Sequence, residues 1–227
     1  MTLETMTPKQ RFLSALNGKE LDRPCAASIT SVVNFELMDM VGSHFPEANT
    51  DPEPMAELAA SAHDVMGFDS VMPIFGIAQE ATALGCVVDF SDSGNLPTPQ
   101  YAPWADRDAE IRLPTGFPES FLEDKYVKCA LDAIRLLKKH FGDDVMILGK
   151  VMGPWTLSYH AYNVQEFLMD TIADPDRVRR SLDVLSEVPI LFAKAQLEAG
   201  ADAIVWADHA TGDLIRNTMY RDFLLWR

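Results

Sequence analysis

Asp208 and His209 follow a short apolar segment at 203–207 that predicts a buried strand. A carboxylate at the end of such a strand can stay ionised and hold a cationic or amide-bearing ligand, or it can cap a turn through backbone N–H groups. An imidazole beside it could transfer a proton, although a single histidine next to a loop is more often solvated or hydrogen-bonded. Both residues are candidate catalytic residues, with structural roles as the alternative.

Glu80 and Lys150 lie near the ends of other predicted elements. Glu80 opens a short predicted helix at 79–84, where its carboxylate could bind the amide face of a ligand or complement the helix dipole. Lys150 ends a predicted strand, where its ammonium could neutralise an anionic substrate or pair with Asp208 or Glu80. The predicted catalytic set is Asp208, Glu80 and His209.

The candidates for substrate binding follow from their positions after predicted strands. Trp155 and Tyr159 could line a flat ligand, or they could simply pack in the core as most aromatic side chains do. No His, Cys, Asp and Glu spacing of the common metal motifs occurs, so no metal ligand is predicted. The predicted substrate-binding residues are Gln79, Lys150, Met152, Trp155, Tyr159 and Asn34.

The elements that position these residues form a repeating pattern of strands and helices. Apolar runs predict four strands, at 25–30, 69–75, 145–151 and 203–208, each separated by residues with helical periodicity. Helices long enough to cross over imply parallel strands with right-handed connections. The pattern predicts the first part of a TIM (β/α) barrel, about four β-α units of the eight in a closed barrel, as one domain over 1–227.

Two features accompany the predicted barrel. An N-terminal helix begins after Thr7, where Pro8 and Gln10 provide a first-turn proline and a capping-box partner. A long excursion at 85–118 is rich in Pro, Gly, Ser and Asp, and its segment 86–90 predicts one arm of an accessory hairpin. Longer helices are expected at 119–140, 164–172 and 175–199, with a last one from about 217.

Composition limits the partners of the chain. The 227 residues carry a formal net charge of −15, which disfavours nucleic acid and anionic membrane surfaces. No apolar run approaches the roughly 20 residues that a membrane span requires, and no signal peptide is recognisable. Cys25, Cys86 and Cys129 are odd in number and far apart, as expected for reduced packing residues. We expect a soluble, cytoplasmic protein.

Short motifs along nearly the whole chain resemble, in their order, those of the uroporphyrinogen decarboxylase superfamily. The resemblance is closer to its corrinoid-dependent methyltransferase branch, the methylcobamide:coenzyme M methyltransferases and their relatives. The motifs are TPKQRF at 7–12, LNG at 16–18, DRP at 22–24, ELMD at 36–39, FPEA at 45–48, ALGC at 83–86, GP at 153–154, EAGAD at 198–202, AD at 207–208 and YRDFL at 220–224.

This resemblance implies a barrel whose mouth receives methylcobalamin on a partner corrinoid protein and passes the methyl group to a small acceptor. In coenzyme M enzymes a zinc ion bound by a His-x-Cys pair and a later Cys activates the acceptor thiol. This sequence has no such pair, so zinc is possible only with ligands beyond residue 227. The residues around Asp208 look more like those of enzymes that methylate tetrahydrofolate in glycine betaine metabolism. This resemblance implies that Glu80 and Asp208 would bind a pterin.

Two alternatives accompany this hypothesis. One is decarboxylation of uroporphyrinogen, although the arginine-rich N-terminal segment of that enzyme is not found. The other is a truncated, non-catalytic remnant, in which strands one and four would have unpaired edges and favour self-association.

Overall fold

A computed structural model describes residues 4–90 and 97–225 of the chain. The strands are β1 (Ser70–Val71), β2 (Val87–Asp89), β3 (Thr98–Tyr101), β4 (Met146–Met152) and β5 (Ala203–Ala207). The helices are α1 (Pro8–Leu16), α2 (Phe35–Val41), α3 (Glu47–Thr50), α4 (Pro52–Asp64), α5 (Ala78–Ala83), α6 (Glu119–Leu122), α7 (Lys125–Phe141), α8 (Pro154–Tyr162), α9 (Val164–Ala173), α10 (Pro175–Leu185), α11 (Glu187–Ala199) and α12 (Asn217–Phe223).

A parallel sheet with the order β1-β4-β5 lies at the centre of the fold. Ser70 pairs with Met146, and Lys150 pairs with Val205, both in parallel register. Helices connect successive strands and cover the sheet, so the carboxyl ends of the three strands meet at one edge. The predicted parallel arrangement of these three strands is confirmed.

The prediction of a strand at 25–30 is wrong. This segment runs beside β1, but its backbone is held largely by side chains: Ala26 N–H donates to Asp69 Oδ2 at 2.8 Å and Ser28 N–H to Ser70 Oγ at 3.2 Å. One backbone bond, from Asp69 N–H to the Ala26 carbonyl, joins the two segments. Side-chain acceptors therefore take the place of the backbone hydrogen bonds that would pair this segment with β1. The strand predicted at 69–75 is correspondingly shorter and consists of β1 alone.

The two longest predicted helices are each interrupted. Asp124 accepts hydrogen bonds from Tyr126 N–H and Val127 N–H, and this N-cap begins α7 where a continuous helix from 119 to 140 was predicted. The predicted helix at 175–199 divides at Ser186 into α10 and α11. Pro189 lies in the first turn of α11, where its missing N–H costs nothing, whereas inside one long helix it would break a hydrogen bond.

The sequence pattern did not predict α8. All nine of its residues are buried, so the helix has no polar face and shows no amphipathic periodicity.

The predicted accessory hairpin is confirmed: β2 and β3 pair antiparallel. The intervening part of the predicted excursion, 91–96, lies outside the described residues.

Helix α1 is joined to the amino-terminal side of the sheet by buried ion pairs. The Arg11 side chain is fully buried, and its guanidinium donates to Asp22 Oδ1 at 2.7 Å and to Asp69 Oδ1 at 2.6 Å. Arg23 donates to the same Asp69 carboxylate at 2.8 Å. Because Asp69 directly precedes β1, this network fixes the position of the strand relative to α1.

Cys86 and Cys129 are buried, Cys25 is half-buried, and all three are free thiols, as predicted. In the ranges 4–90 and 97–225, none of the helices combines the length and apolar character that crossing a bilayer requires.

Candidate active site at the carboxyl edge of the sheet

The carboxyl end of β4 receives a side chain from the preceding β-α unit. Glu80, in the first turn of α5, accepts a hydrogen bond at Oε1 from Met152 N–H at 3.0 Å. The Glu80 side chain is fully buried, and its second oxygen, Oε2, has no hydrogen-bond partner. Burial raises the pKa of Glu80 from its usual 4.5 to about 7, although the Met152 hydrogen bond and the charge of Lys150 oppose the shift.

Lys150 lies on the β4 face opposite to that of Gly149, which packs against Gln196 of α11. Met146 and Leu148 occupy the same face by strand alternation and form a small apolar cluster, whereas Ile147 and Val151 belong to the larger core. Lys150 is 7% exposed, and burial lowers its pKa to about 8 against the opposing effect of Glu80. One alternative from the sequence was an ion pair of Lys150 with Glu80 or Asp208. Within the described residues Lys150 Nζ forms no ion pair, and the charge of Glu80 acts to raise the pKa of Lys150.

The backbone of Lys150 is held from the other face by α11. Its N–H donates to Gln196 Oε1 and its carbonyl accepts from Gln196 Nε2, both at 2.9 Å. The Gln196 side chain is fully buried. A primary amide can serve both backbone groups at once, so Gln196 fixes this part of β4 without using the Lys150 side chain.

Asp208 caps α8 from the end of β5. Its Oδ1 accepts from Thr156 N–H at 2.7 Å and from Thr156 Oγ1–H at 2.8 Å. The N-cap residue of α8 is Gly153, which has no side chain to do this, and a Cβ at Gly153 would overlap Asp208 Oδ2. Capping, the structural alternative for Asp208, is therefore observed, but for the preceding helix rather than for the next turn.

The bonding of Asp208 also sets its electrostatics. Burial raises the pKa of Asp208 above its usual value, and the hydrogen bonds from Thr156 oppose that shift. Thr156 Oγ1 in turn accepts from His209 N–H at 2.7 Å, which connects the chain after β5 to α8. Thr156 and Gly153 were not predicted as site residues, because nothing local in the sequence pairs them with a carboxylate more than 50 positions away.

Trp155 and Tyr159 form a buried aromatic cluster on α8. The Trp155 ring is fully buried and lies edge-on to Phe167 at a centroid distance of 4.8 Å. Its indole N–H donates to Tyr159 Oη at 2.6 Å, and Tyr159 O–H donates to the His209 carbonyl at 3.2 Å. The packing alternative therefore describes Trp155, and Tyr159 joins this cluster to the segment after β5.

The remaining predicted residues occupy different surroundings. Gln79 is fully buried, and neither atom of its amide has a hydrogen-bond partner. Met152 is buried at the end of β4, and His209 is exposed. Asn34 is exposed and caps α2 by accepting from Leu37 N–H at 2.8 Å, so its side chain serves a helix terminus.

One further buried histidine lies at this end of the sheet. His160, in the last turn of α8, has no partner for Nε2. Burial and the neighbouring His209 lower the pKa of His160 to about 4, so its ring is neutral at neutral pH.

A metal requires several ligands that converge on one point. In the part of the chain that the structure describes, no three His, Cys, Asp or Glu side chains lie close enough together to hold a metal ion. The described residues therefore do not fit the zinc site of coenzyme M enzymes.

Comparisons with known proteins agree on one family. Residues 7–226 match a family model described as uroporphyrinogen decarboxylase (URO-D). The methylcobamide:CoM methyltransferase MtaA of Methanosarcina barkeri is 32% identical over 223 residues, 98% of this chain. The methylcobamide:CoM methyltransferase MtbA of Methanosarcina acetivorans is 31% identical over 220 residues, 96% of this chain.

A solved structure of a methyltransferase from Methanosarcina mazei has 32% sequence identity and a TM-score of 0.87, covering 96% of this chain. This chain spans 65% of MtaA, 63% of MtbA and 64% of the solved chain.

Proposed function

Since the chain belongs to the uroporphyrinogen decarboxylase family, we propose that it acts in corrinoid-linked one-carbon metabolism as a methyltransferase. The methyl group would move from a methylated corrinoid protein to a small acceptor. Two relatives that match nearly the whole chain are named methylcobamide:CoM methyltransferases, which favours methyl transfer over decarboxylation of uroporphyrinogen.

We also propose that β1, β4 and β5 are successive strands of a TIM (β/α) barrel. Their parallel pairing in the order β1-β4-β5 and the likeness to the solved methyltransferase support this assignment. In such barrels the reactive groups lie at the carboxyl ends of the strands. Glu80, Lys150 and Asp208 all lie at or near that edge.

The observation that carries the proposal is the buried pair of ionisable side chains, Glu80 and Lys150, at this edge. Ionisable groups with strongly shifted pKa values concentrate at functional sites. Glu80 can hold or release a proton near neutral pH, and Lys150 can neutralise a negative charge. The capping of α8 by Asp208 keeps the edge rigid, which is the requirement for holding an acceptor in a fixed position.

The corrinoid supplies a methyl group bound to cobalt, which an acceptor nucleophile can attack. This chain's residues would hold the acceptor in line with that methyl group and exclude water. Because the described residues do not converge on a metal, we derive no role for zinc from them.

Coenzyme M is the acceptor that the names of the relatives favour. Tetrahydrofolate is the second candidate, because the unpartnered Oε2 of Glu80 could accept hydrogen bonds from the amide edge of a pterin. Lys150 favours an acceptor that carries a negative charge near the reacting atom.

An activity assay of the 227-residue chain tests the proposal. The chain is incubated with methylcobalamin and with coenzyme M, tetrahydrofolate or no acceptor, and methylated products are measured by mass spectrometry. We expect methylation of coenzyme M, a reduction of tenfold or more in Lys150→Met, and no change in the surface variant Lys128→Met. Failure to methylate either acceptor, or decarboxylation of added uroporphyrinogen instead, would contradict the proposal.

A further inference from the structure

We propose that Lys150, Glu80 and Gln79 form a subsite for the oxyanion of a small ligand, a carboxylate or a sulfonate, and that the anion binds together with one proton. The inference rests on the proposed function only in identifying this ligand as the methyl acceptor.

Two adjacent side chains of α5 have unused hydrogen-bonding groups in the interior. Glu80 and Gln79 are both 0% exposed, yet Glu80 Oε2, Gln79 Oε1 and Gln79 Nε2 have no partner. A buried polar atom without a partner loses its hydration and gains nothing in return, so native proteins rarely contain several together. The bond from Met152 N–H places Glu80 at the carboxyl edge of the sheet, and Gln79 is its neighbour in the chain, so a ligand bound at this edge would complete their hydrogen bonds.

Lys150 provides the positive charge of the subsite. The residue is 7% exposed, and in residues 4–90 and 97–225 its ammonium forms no ion pair. Buried ammonium groups are normally paired closely with a carboxylate. Here the charge of Glu80 acts on Lys150, but Glu80 Oε1 accepts its hydrogen bond from Met152 N–H and not from Lys150. The N–H groups of the Lys150 ammonium therefore stay available to a ligand.

Charge balance explains why a proton would accompany the anion. Ionised Glu80 and Lys150 together are neutral, so an added monoanion would create an unbalanced buried negative charge. Protonation of Glu80 restores neutrality and also converts Oε2 from an acceptor into an O–H donor. Because burial raises the pKa of Glu80 to about 7, this protonation is accessible near neutral pH.

Two other ionisable groups near α5, Cys86 and His160, keep their charge in this range. Cys86 donates its thiol hydrogen to the His160 carbonyl, and burial raises the pKa of the thiol to about 12. The His160 ring, with a pKa lowered to about 4, is already neutral. Asp124 accepts hydrogen bonds from Thr82 Oγ1–H and from the first turn of α7. The charge that perturbs the pKa of Glu80 is that of Lys150.

NMR titration of the 227-residue chain with non-reactive probes tests the inference. Ethanesulfonate and propanoate supply the two kinds of oxyanion, and propanamide is a neutral control of similar shape to propanoate. We expect both anions to shift the resonances of residues beside Lys150, and propanamide to bind at least tenfold more weakly than propanoate. Anion affinity should fall more than tenfold between pH 6.5 and 8.5, since the required proton is lost in that range.

Two substitutions separate the contributions of the pair. Lys150→Met keeps the length of the side chain without its charge, and it should reduce anion affinity at least tenfold. Glu80→Gln mimics the protonated acid, so it should bind anions with little dependence on pH up to the range in which Lys150 itself loses its proton. Lys128→Met changes an exposed lysine on α7 and should leave both measurements unaltered.

Anion binding that survives Lys150→Met, or a wild-type pH dependence retained in Glu80→Gln, would overturn the inference. Equal affinity for propanoate and propanamide would do the same. These titrations contain no methyl donor, so they are independent of the methyl-transfer assay. A negative anion titration does not contradict the proposed methyl transfer, and a negative assay does not contradict anion binding.

Discussion

At the scale of the residue, Glu80 shows how position determines the charge of a carboxyl group. Its side chain is fully buried, whereas the nearest opposite charge, on Lys150, is itself desolvated. Desolvation therefore dominates, and the acid is held near its point of half-ionisation at neutral pH. The sequence indicated a carboxylate at this end of the sheet, but its pKa depends on burial by residues distant in sequence.

We predict that Glu80→Gln removes a pH-dependent loss of stability. The folded-state pKa of Glu80, about 7, lies above the unfolded value of 4.5, so the wild type loses stability as pH rises through this window. The loss amounts to at most about 3 kcal/mol by pH 7.5. Urea unfolding at pH 5 and pH 7.5 measures it; Glu119→Gln, at an exposed position, should follow the wild type. A variant that loses as much stability as the wild type over this range would refute the argument.

At the scale of the element, the cap of α8 shows where local sequence reasoning fails. The helix is buried on all sides, and its capping carboxylate comes from Asp208 at the end of the next strand. Neither fact has a local signal, so α8 and the role of Thr156 were not predicted. By contrast, α2 has local signals at both ends, because Asn34 caps its first turn and Gly42 follows it in the left-handed conformation.

We predict that Asp208→Ala destabilises the fold by about 1–2 kcal/mol, because Thr156 N–H and Oγ1–H both lose their acceptor. Asp208→Asn keeps an acceptor oxygen and should recover much of that loss. Asp213→Ala, at an exposed position a few residues later, should have little effect. Thermal and urea unfolding measure the three variants; an Asp208→Ala variant as stable as Asp213→Ala would contradict the capping role.

At the scale of the whole molecule, α1 and β1 are joined by a buried ion network at the end of the sheet opposite the candidate site. The parallel sheet and the hairpin were predictable from periodicity. The absence of a strand at 25–30 was not, because it depends on the side chains of Asp69 and Ser70 acting as backbone partners. Because no strand forms at 25–30, only the edge of β5 remains of the two strand edges expected to favour self-association. Self-association stays a prediction, which light scattering over a concentration series tests.

We predict that Arg11→Met destabilises the protein by about 3–5 kcal/mol, because Asp22 and Asp69 lose a buried partner. Burial raises the pKa of Asp69, but its hydrogen bonds with Arg23, Ala26 N–H and Arg11 outweigh this, so the net pKa is lowered. The stability that Asp69 contributes is therefore lost as pH falls below about 4.

Arg135→Met, which removes an exposed pair with Asp132, is the control and should change stability by less than about 1 kcal/mol. Equal unfolding free energies for the two variants would show that the network does not hold α1 in place.

We propose that the carboxyl edge of the parallel sheet, around Glu80 and Lys150, binds the methyl acceptor. The most direct measurement is a crystal structure of the chain with coenzyme M. We expect the sulfonate to lie within hydrogen-bonding distance of Lys150 Nζ and Glu80 Oε2. A sulfonate bound at the opposite end of the sheet, or on the outer helices, would contradict it.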